Sequence, residues 1–507
     1  MKKLLLLVLL TLPGLLPRAQ AQFQTPGTGR SYTWAQLAAA AGSYITAAGT
    51  EWQLNDTIRL SATDTLRINT NETIRVAALA LFYIDGTLLI NPADSVKFTA
   101  LNPATPWHSL TFSNTAGASR LNKTVVEYSA GIRLLGASAE LRNCVLRRNV
   151  ATLNGRLIGS GTLSVSLGAR PLIEGCRFER NARSAISSPA NGGSSPIIRN
   201  SEFLLNNVEN GNYPQINLGP GAAGVPILIE GCRIEGSVAG NMGGGIGLSN
   251  LLGGGGVTRA EVRGNLIRNN RYGITVTGVN YNSYITGNAI LNNNTNPNAN
   301  TGGSGINFTG NSQTGVVSRN LISGNLWGVT VLKSGTGPTG LLISFGDLNS
   351  GDTTNVGLNR LVGNGNGGVV YDFYNNAPDD LKAENNDWGT TDLADIEAHI
   401  AHKPDNAALG FVDYLPFRQP LASRVARAMV AELYPNPARE QATLRLPAAG
   451  AVTLSLHDAT GRLVRRRSAV AAADGRVVVS LQGLKAGLYL YQAEQNGRLA
   501  TGRLLVE

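Results

Sequence analysis

A nine-residue pattern of apolar and polar positions recurs through the middle of the chain. In residues 141–149 (LRNCVLRRN) an aliphatic residue precedes a small residue by three positions. A large apolar residue follows the small one by two positions, and an Asn follows it by five. Eight copies share this pattern, seven with the final Asn and one with Ser237 in its place. The small residue is at Cys144, Cys176, Ser201, Cys232, Asn265, Asn288, Asn320 and Asn359. The copies are 23 to 39 residues apart. A constant motif at variable spacing predicts a solenoid with uniform coils and loops of variable length.

A second short segment accompanies most of the motifs, in which a Gly precedes alternating aliphatic and polar residues. Examples are GIRL at Gly131, GITV at Gly273, GVTV at Gly328 and GVVY at Gly368. Residues 50–111 contain further alternating segments, including TIRLSA, TLRINT, TIRVAA, SVKFTA and SLTFSN. Alternation with a period of two between Gly, Asn and Asp residues predicts short β-strands throughout this part of the chain.

The Asn at the end of the motif is interpreted as the residue at a bend between two strands. Asn tolerates a left-handed backbone better than most residues, and its amide can bond to an equivalent amide in the next coil. Coils stacked about 4.8 Å apart bring such amides into contact. The pattern therefore predicts a structural ladder of Asn149, Asn181, Asn206, Asn270, Asn293, Asn325 and Asn364.

These repeats resemble those of the right-handed parallel β-helix proteins of the pectate-lyase-like superfamily, over roughly residues 50–415. The resemblance implies an all-β fold, a right-handed parallel β-helix (solenoid). We expect an N-terminal cap and first coils in 22–115, with a short helix within 32–44, because Trp34, Leu37 and Ala41 lie at helical spacing. Coils with the Asn ladder follow in 116–417, closed by a helix at 392–402.

Residues 1–21 are predicted to be a signal peptide, since two Lys precede an apolar run that ends in small residues. A linker is expected at 418–429. The alternating segments of 430–507 predict a small antiparallel β-sandwich.

This last segment resembles the type A C-terminal sorting domain of the type IX secretion system. The resemblance rests mainly on Tyr434, Pro435, Asn436, Pro437, Gly461, Gly487 and Tyr489. It implies that the partners are the translocon of this system and its surface peptidase. It also implies a protein that is secreted or held on the outer cell surface, there attached to lipopolysaccharide.

The charge of the chain argues against nucleic-acid binding. The net charge is +10, but residues 22–420 contain 28 basic and 27 acidic residues, whereas nucleic-acid binding needs a basic stripe. No apolar run after the signal reaches the ~20 residues of a membrane span. No cofactor or metal site is predicted, and His399 and His402 are expected on a solvated helix face. The three Cys are expected to form a column of small buried side chains, with a Cys144–Cys176 disulfide as the alternative.

The residues needed for familiar polysaccharide chemistry are scarce. There is no Asp between Asp94 and Asp347, and the Glu residues of this region alternate with Arg in a way that predicts an exposed, charge-paired strand face. We therefore predict no catalytic residue. The leading hypothesis is a non-catalytic glycan-binding or adhesive/structural protein, with candidate binding residues Tyr281, Tyr284, Trp327, Tyr371, Tyr374 and Trp388.

The alternative is a polysaccharide lyase or hydrolase with an atypical active site. Such an enzyme would use basic or phenolic groups in place of several carboxylates. Two sets of residues qualify: Lys333 with Arg319, and Arg268 with Arg271 and Tyr272.

Overall fold

A computed structural model describes residues 22–236, 240–254, 256–333, 340–419, 427–458, 462–496 and 498–507. The chain divides into two compact units, Met1–Gln419 and Pro420–Glu507. The predicted signal peptide lies outside the described residues, as do residues 420–426 of the predicted linker.

The first unit consists of three long sheets, here called sheets A, B and C, whose strands are almost all parallel. Sheet A contains, in spatial order, Gln22–Gln24, Thr57–Leu60, Leu81–Ile84, Ser109–Phe112, Ile132–Leu135, Gly161–Ser166, Ser184–Ser187, Ile216–Leu218, Ile246–Asn250, Ile274–Val279, Ser304–Asn311, Trp327–Lys333, Phe373–Asn376 and Ile400–Ala401. Sheet B contains Ser31–Thr33, Thr65–Ile68, Thr87–Ile90, Arg120–Asn122, Glu140–Arg142, Leu172–Glu174, Ile197–Arg199, Ile227–Glu230, Thr258–Arg263, Tyr281–Thr286, Thr314–Ser318 and Leu342–Ser344.

Sheet C contains Ile45–Ala48, Glu51–Leu54, Glu72–Val76, Val96–Ala100, Thr124–Glu127, Val145–Arg147, Arg177–Glu179, Glu202–Leu204, Arg233–Glu235, Leu266–Arg268, Ala289–Leu291, Leu321–Ser323 and Arg360–Val362. Its first two strands pair antiparallel. Three two-stranded pairs lie outside these sheets: Thr152–Leu153 with Arg156–Leu157, Gly365–Asn366 with Val369–Val370, and Leu381–Lys382 with Val412–Asp413. The predicted all-β fold, a parallel β-helix, is confirmed.

Each full coil contributes one strand to each sheet. The motif at 141–149 contains two of the three strands, because Glu140–Arg142 lies on sheet B and Val145–Arg147 lies on sheet C. The Gly-led segment before it supplies the sheet A strand Ile132–Leu135. The apolar residues of all three strands point inward, and Ile132, Leu141 and Leu146 have no exposed surface. The repeat therefore encodes two strands and the bend between them.

The ladder asparagines do not have the left-handed backbone that the sequence suggested. The residue before each bend position adopts it instead: Arg148 precedes Asn149 with φ 53°, and Asn143 precedes Cys144 with φ 53°. A single left-handed residue turns the chain sharply between two sheets. The residue after the turn is then left with a buried side chain.

The structure joins the predicted ladder residues by side-chain hydrogen bonds. Asn149 Nδ2 donates to Asn181 Oδ1 at 3.0 Å, and the same contact links Asn270 to Asn293 at 3.0 Å and Asn293 to Asn325 at 3.1 Å. One coil lacks an Asn at this position, because residue 237 is a Ser. Gln215 fills the gap: its Oε1 accepts from Asn206 at 2.9 Å and its Nε2 donates to Asn270 at 3.0 Å.

A second ladder occupies the small position of the motif in the later coils. Each amide donates to the next at 2.9 Å through Asn265, Asn288, Asn320, Asn359 and Asn386. In earlier coils this position holds buried cysteines with free thiols, so the alternative of a disulfide is not what the structure contains. The Sγ atoms of Cys144 and Cys176 lie 3.3 and 3.4 Å from backbone oxygens of the preceding coil.

The outer faces of sheets B and C carry the predicted charge pairs. Arg263 lies 2.8 Å from Glu230, Arg177 lies 2.9 Å from Glu202, and Arg142 contacts Glu174. Exposed pairs of this kind add little stability individually, about 0.2–1 kcal/mol. Their main consequence is that these carboxylates and guanidinium groups are already paired.

Two terminal elements differ in how well the sequence predicted them. The N-terminal helix is confirmed as Trp34–Ala41, capped by Thr33, with Trp34, Leu37 and Ala41 buried. Two 3₁₀ turns, Gly42–Tyr44 and Asn114–Ala116, are also present.

The helix predicted at 392–402 is shorter than expected, Leu393–Ala398. The prediction of a solvated His402 is wrong, because its side chain is buried between Glu397 and the backbone N–H of Val412. The GVVY segment was also misassigned, since Val369–Val370 forms a local hairpin and Phe373–Asn376 enters sheet A. No helix of the described residues is long and apolar enough to cross a membrane.

The second unit contains a five-stranded and a three-stranded sheet. The five-stranded sheet orders Arg427–Ala428, Arg498–Val506, Gly487–Gln495, Gly450–His457 and Leu463–Ala471. The three-stranded sheet orders Glu432–Tyr434, Gln441–Arg445 and Arg476–Ser480. All pairings except that of Arg427–Ala428 are antiparallel, and a core of its own lies between the sheets.

We predict that Asn293→Ala lowers the free energy of unfolding by about 3 kcal/mol, because it leaves the amides of Asn270 and Asn325 without their buried partner. Urea titration followed by circular dichroism measures the change. Exposed Asn294, one residue on, donates only to Gly324 O, and Asn294→Ala is expected to cost about 0.5 kcal/mol or less. Equal losses for both variants would contradict a structural role for the ladder.

Candidate functional site

Three of the predicted aromatic residues form a cluster on the outer face of sheet A. The ring centroid of Trp327 lies 5.1 Å from that of Tyr374, with a 26° angle between the planes, and 4.6 Å from that of Tyr371. Trp327 begins the strand Trp327–Lys333, and Tyr374 lies on the adjacent strand Phe373–Asn376. Trp327 Nε1 donates to the backbone oxygen of Ala299 at 2.9 Å, which fixes the orientation of the indole ring. We call these three residues the aromatic shelf.

Trp327 and Tyr374 of the shelf form one wall of a groove of about 490 Å³. Its polar floor consists of Thr275, Asn307 and Thr330, which face outward on three adjacent strands of sheet A. Thr330 Oγ1 lies 2.8 Å from Asn307 Oδ1, and Asn307 Nδ2 donates to Thr275 Oγ1 at 2.8 Å. The groove thus combines aromatic surface with hydroxyl and amide groups, as small-molecule sites do.

The loop before the strand Ser304–Asn311 borders the groove on the other side. Residues 299–302 of this loop line it, and Arg271 ties the loop down. Arg271 Nε donates to Thr301 O at 2.8 Å, and its Nη1 donates to Asn212 Oδ1 at 2.8 Å. The polar, Asn-rich segment 292–303 therefore contributes part of the site. A second polar segment that interrupts the repeats, at 241–256, contains the sheet A strand Ile246–Asn250 instead.

The other predicted aromatic residues lie elsewhere. Tyr281 and Trp388 are wrong as candidates for stacking on a ligand, because both side chains are buried in the core of the β-helix. Their alternation gave no hint of this, since an aromatic residue suits either face of a strand. Tyr284 is partly exposed, but it lies on sheet B beneath the guanidinium of Arg259, 4.8 Å from its ring centroid.

The residues of the alternative, catalytic hypothesis are not arranged for proton transfer. Burial raises the pKa of Tyr272 to about 12, which disfavours the phenolate that a general base requires. Arg268 is paired with Glu235 at 3.1 Å on sheet C. Arg319 lies at a bend between sheets B and C, whereas Lys333 ends a sheet A strand. Among the described residues that line the groove there is no Asp or Glu, and the described part of the chain has no cluster of three groups suited to a metal.

A buried carboxyl lies directly behind the shelf. Asp372, between Tyr371 and the next strand, ends the first ladder: its Oδ1 accepts from Asn364 Nδ2 at 2.7 Å. Its Oδ2 lies 3.2 Å from His399 Nδ1. Burial raises the pKa of Asp372, and the hydrogen bonds from Asn364 and the charge of His399 offset this only in part. No local pattern identifies this residue, because its role depends on the hairpin that the GVVY segment forms.

The predicted sorting residues hold the end of the chain in place. Asn436 Nδ2 donates to Arg503 O at 2.8 Å, and Asn436 Oδ1 accepts from Leu505 N at 2.8 Å. Tyr489 is buried, and its hydroxyl donates to Lys485 O. Tyr434, by contrast, ends a strand with its ring partly exposed. Pro435 and Pro437 flank Asn436, Gly487 begins its strand, and Gly461 lies outside the described residues.

We predict that Asp372→Asn raises the free energy of unfolding at pH 7 by about 1 kcal/mol, because Asn keeps the acceptor for Asn364 without a buried charge. A raised folded-state pKa means that the protonated carboxyl is favoured on folding. Its stabilising effect is full below the ordinary pKa of 3.8 and is lost as the pH rises through the raised value. The gain should therefore vanish near pH 3.5, as denaturant titrations at both pH values would measure.

Asp372→Ala is the matched control, since it removes the acceptor as well as the charge. It is expected to destabilise the protein at both pH values. If Asp372→Asn lost as much stability at pH 7 as Asp372→Ala, the ladder would require the carboxylate itself, which would contradict the prediction.

Residues 432–507 match the family model of the secretion system C-terminal sorting domain. No curated protein matches the chain. The terminal sandwich is therefore a sorting domain of the type IX secretion system, and it indicates export of the protein to the cell surface or the extracellular space.

Proposed function

We propose that this protein is an exported, non-catalytic β-helix that binds an extracellular glycan in the groove beside the aromatic shelf. The observation that carries the proposal is the stack of Trp327 and Tyr374 next to the hydrogen-bonded row Thr275–Asn307–Thr330. A pyranose ring has an apolar face and an equatorial rim of hydroxyl groups. The aromatic wall suits the first, and the hydroxyl and amide floor suits the second.

The geometry of the shelf supports binding by a rigid surface. Trp327 is fixed by its hydrogen bond to Ala299 O, and Tyr374 lies on a paired strand, so little side-chain entropy is lost when a ligand stacks on them. Arg271 holds the loop 299–302 against the groove through its own hydrogen bonds. In this proposal Arg271 is a positioning residue that shapes the groove.

The proposal favours binding over turnover on chemical grounds. Glycoside hydrolysis uses two carboxyl groups on either side of one bond, and a lyase needs a base near the abstracted proton. Among the titratable groups that line the groove, Tyr272 has a pKa that burial raises to about 12, which opposes its use as a base. As part of the same proposal, we place the protein in the pectate-lyase-like superfamily. Coils of three strands with inward-pointing amides support this relationship.

Delivery is the second part of the proposal. The sorting domain implies interaction with the secretion machinery. We propose in addition that the surface peptidase of the system removes this domain after export, and that the β-helix is then released or attached to surface lipopolysaccharide. The domain has a buried core made of its own residues, which is consistent with its removal.

We predict that Trp327→Ala weakens glycan binding at least tenfold, a loss of about 1.4 kcal/mol. Glycan-array binding of the full chain would first identify a ligand, and calorimetric titration would then compare the variants. Tyr284→Ala is the matched control, because Tyr284 is a partly exposed aromatic residue on sheet B. Its affinity should stay within twofold of the parent protein.

The same glycans are to be incubated with the protein and assayed for new reducing or unsaturated ends. Binding without product is the expected result. Product formation that depends on groove residues would contradict the proposal and restore the lyase or hydrolase hypothesis. Equal weakening by both aromatic substitutions would move the binding surface away from the groove.

We predict that deletion of residues 432–507 retains the β-helix inside a cell that uses the type IX system, because the sorting domain is absent. Fractionation and immunoblotting would follow the protein. The single substitution Asn436→Ala removes two hydrogen bonds to the terminal strand and is expected to reduce export in part. Normal export of the deleted form would contradict the role of this domain.

A further inference from the structure

Arg133 is a buried cation without a counter-ion. It lies on the sheet A strand Ile132–Leu135 and is only 7% exposed. Its Nη2 donates to the backbone oxygen of Ala130 at 2.8 Å, while its Nε is buried without a hydrogen-bond partner. Among the described residues, no carboxylate lies within 4.0 Å of the guanidinium, in contrast to the paired arginines of sheets B and C.

The charge persists although the group is buried. Burial lowers the pKa of Arg133 to about 10, so the guanidinium stays protonated at neutral pH. A buried, unpaired charge costs several kcal/mol unless something compensates it. The backbone does so only in part, through a single carbonyl. The described residues therefore compensate the charge of the guanidinium only in part.

A glycine-rich loop encloses the guanidinium on one side. A Cβ atom on Gly159 would lie 1.9 Å from Arg133 Nη1, so the loop backbone passes directly over the group. Ser160, the next residue of this loop, donates from its Oγ to Ser187 Oγ at 3.2 Å. Only a residue without a side chain allows this approach, which keeps the guanidinium in one position.

Polar side chains lie on the adjacent strand Ser109–Phe112 and at the residue before it. Thr111 is directly opposite Arg133 on the adjacent strand. Ser109 Oγ lies 2.8 Å from Thr111 Oγ1 and 2.8 Å from His108 Nδ1. Burial and the charge of Arg133 lower the pKa of His108, which favours a neutral imidazole beside the cation.

We propose that Arg133, with His108 and Thr111, binds a carboxylate or sulfate group. The free Nε–H and the Nη groups of a guanidinium suit such an oxyanion, because they donate parallel hydrogen bonds to two of its oxygens. The negative charge of the bound oxyanion would act as the counter-ion of Arg133. Tyr83, opposite Thr111 in the preceding coil, lies on the same outward row, with the guanidinium of Arg59 over its ring.

This site is separate from the groove and does not depend on the proposed glycan. The outward row runs from Arg133 through Ser164, Ser187, Asn217 and Gly247 to Thr275, one residue per coil. Five coils at about 4.8 Å each put the two sites about 24 Å apart. The oxyanion can belong to a free inorganic anion or to the acid group of a saccharide, and the experiment separates these sources.

The test measures thermal unfolding of the full chain in sodium chloride and in sodium sulfate at equal ionic strength. Sulfate also stabilises proteins by exclusion from their surface. Specific binding is therefore judged from the difference between the parent protein and its variants. The midpoint of the parent protein should rise about 3 °C more than that of Arg133→Met. Arg156→Met is the matched control, because Arg156 is exposed in the same loop, and it should respond like the parent.

A second variant guards against a folding defect in Arg133→Met. Gly159→Ala keeps the charge but displaces the guanidinium, and it should weaken sulfate binding at least tenfold. Titration with polygalacturonate, with neutral dextran as control, separates the two sources of the oxyanion. Binding of the acidic polymer that depends on Arg133 identifies a saccharide acid group. A response to sulfate alone identifies a small anion. An equal response of the parent, Arg133→Met and Gly159→Ala to every anion would overturn the proposal.

Discussion

The register of the coils depends on asparagine side chains that bond to one another inside the β-helix. A primary amide carries two donors and an acceptor, and leaving one of them unpaired in an apolar interior costs about 1–3 kcal/mol. Asn293 meets this requirement through Asn270, Asn325 and the backbone of Ile267. A shift of one residue in a strand would turn its apolar side chains outward and break these bonds together.

The ladder also explains why the loops can vary in length. Consecutive motif copies are 23 to 39 residues apart, yet the amide positions stay aligned. Where the coil containing Ser237 offers no amide, the longer side chain of Gln215 spans from Asn206 to Asn270. A constant interior thus permits insertions between strands, and one of these, at 292–303, builds a wall of the groove. The outward positions carry the differences between faces: sheets B and C carry rows of charge pairs, whereas sheet A carries Arg133, several small polar residues and Tyr374.

The sequence was sufficient for the repeating parts of the fold and insufficient for its exceptions. Strands with a period of two and asparagines at fixed positions predicted a β-solenoid with an amide ladder, because both features follow from local chemistry repeated many times. That the solenoid is a parallel β-helix came from the family resemblance. Val369–Val370 has the same local pattern as the sheet A strands but pairs with Gly365–Asn366. Which strand this segment pairs with depends on contacts with neighbouring coils, and a local sequence pattern contains no information about them. His402 was misjudged for the same reason.

The site was predictable only in part. Trp327, Tyr371 and Tyr374 were candidates because aromatic faces can stack on sugars, and the structure brings them together, whereas Tyr281 and Trp388 belong to the core. The polar floor has a signal that was overlooked: Thr275, Asn307 and Thr330 each follow the Gly of a Gly-led strand by two residues. Arg133 has no such signal, because its isolation from carboxylates is a property of three-dimensional arrangement.

A crystal structure of the full chain with an oligosaccharide ligand tests the central claim most directly. The account predicts a sugar ring stacked against the shelf of Trp327 and Tyr374, with its hydroxyl groups on Asn307 and Thr330 and with the glycosidic bonds intact. A ligand bound on sheet B or C, or a cleaved ligand in the groove, would contradict it.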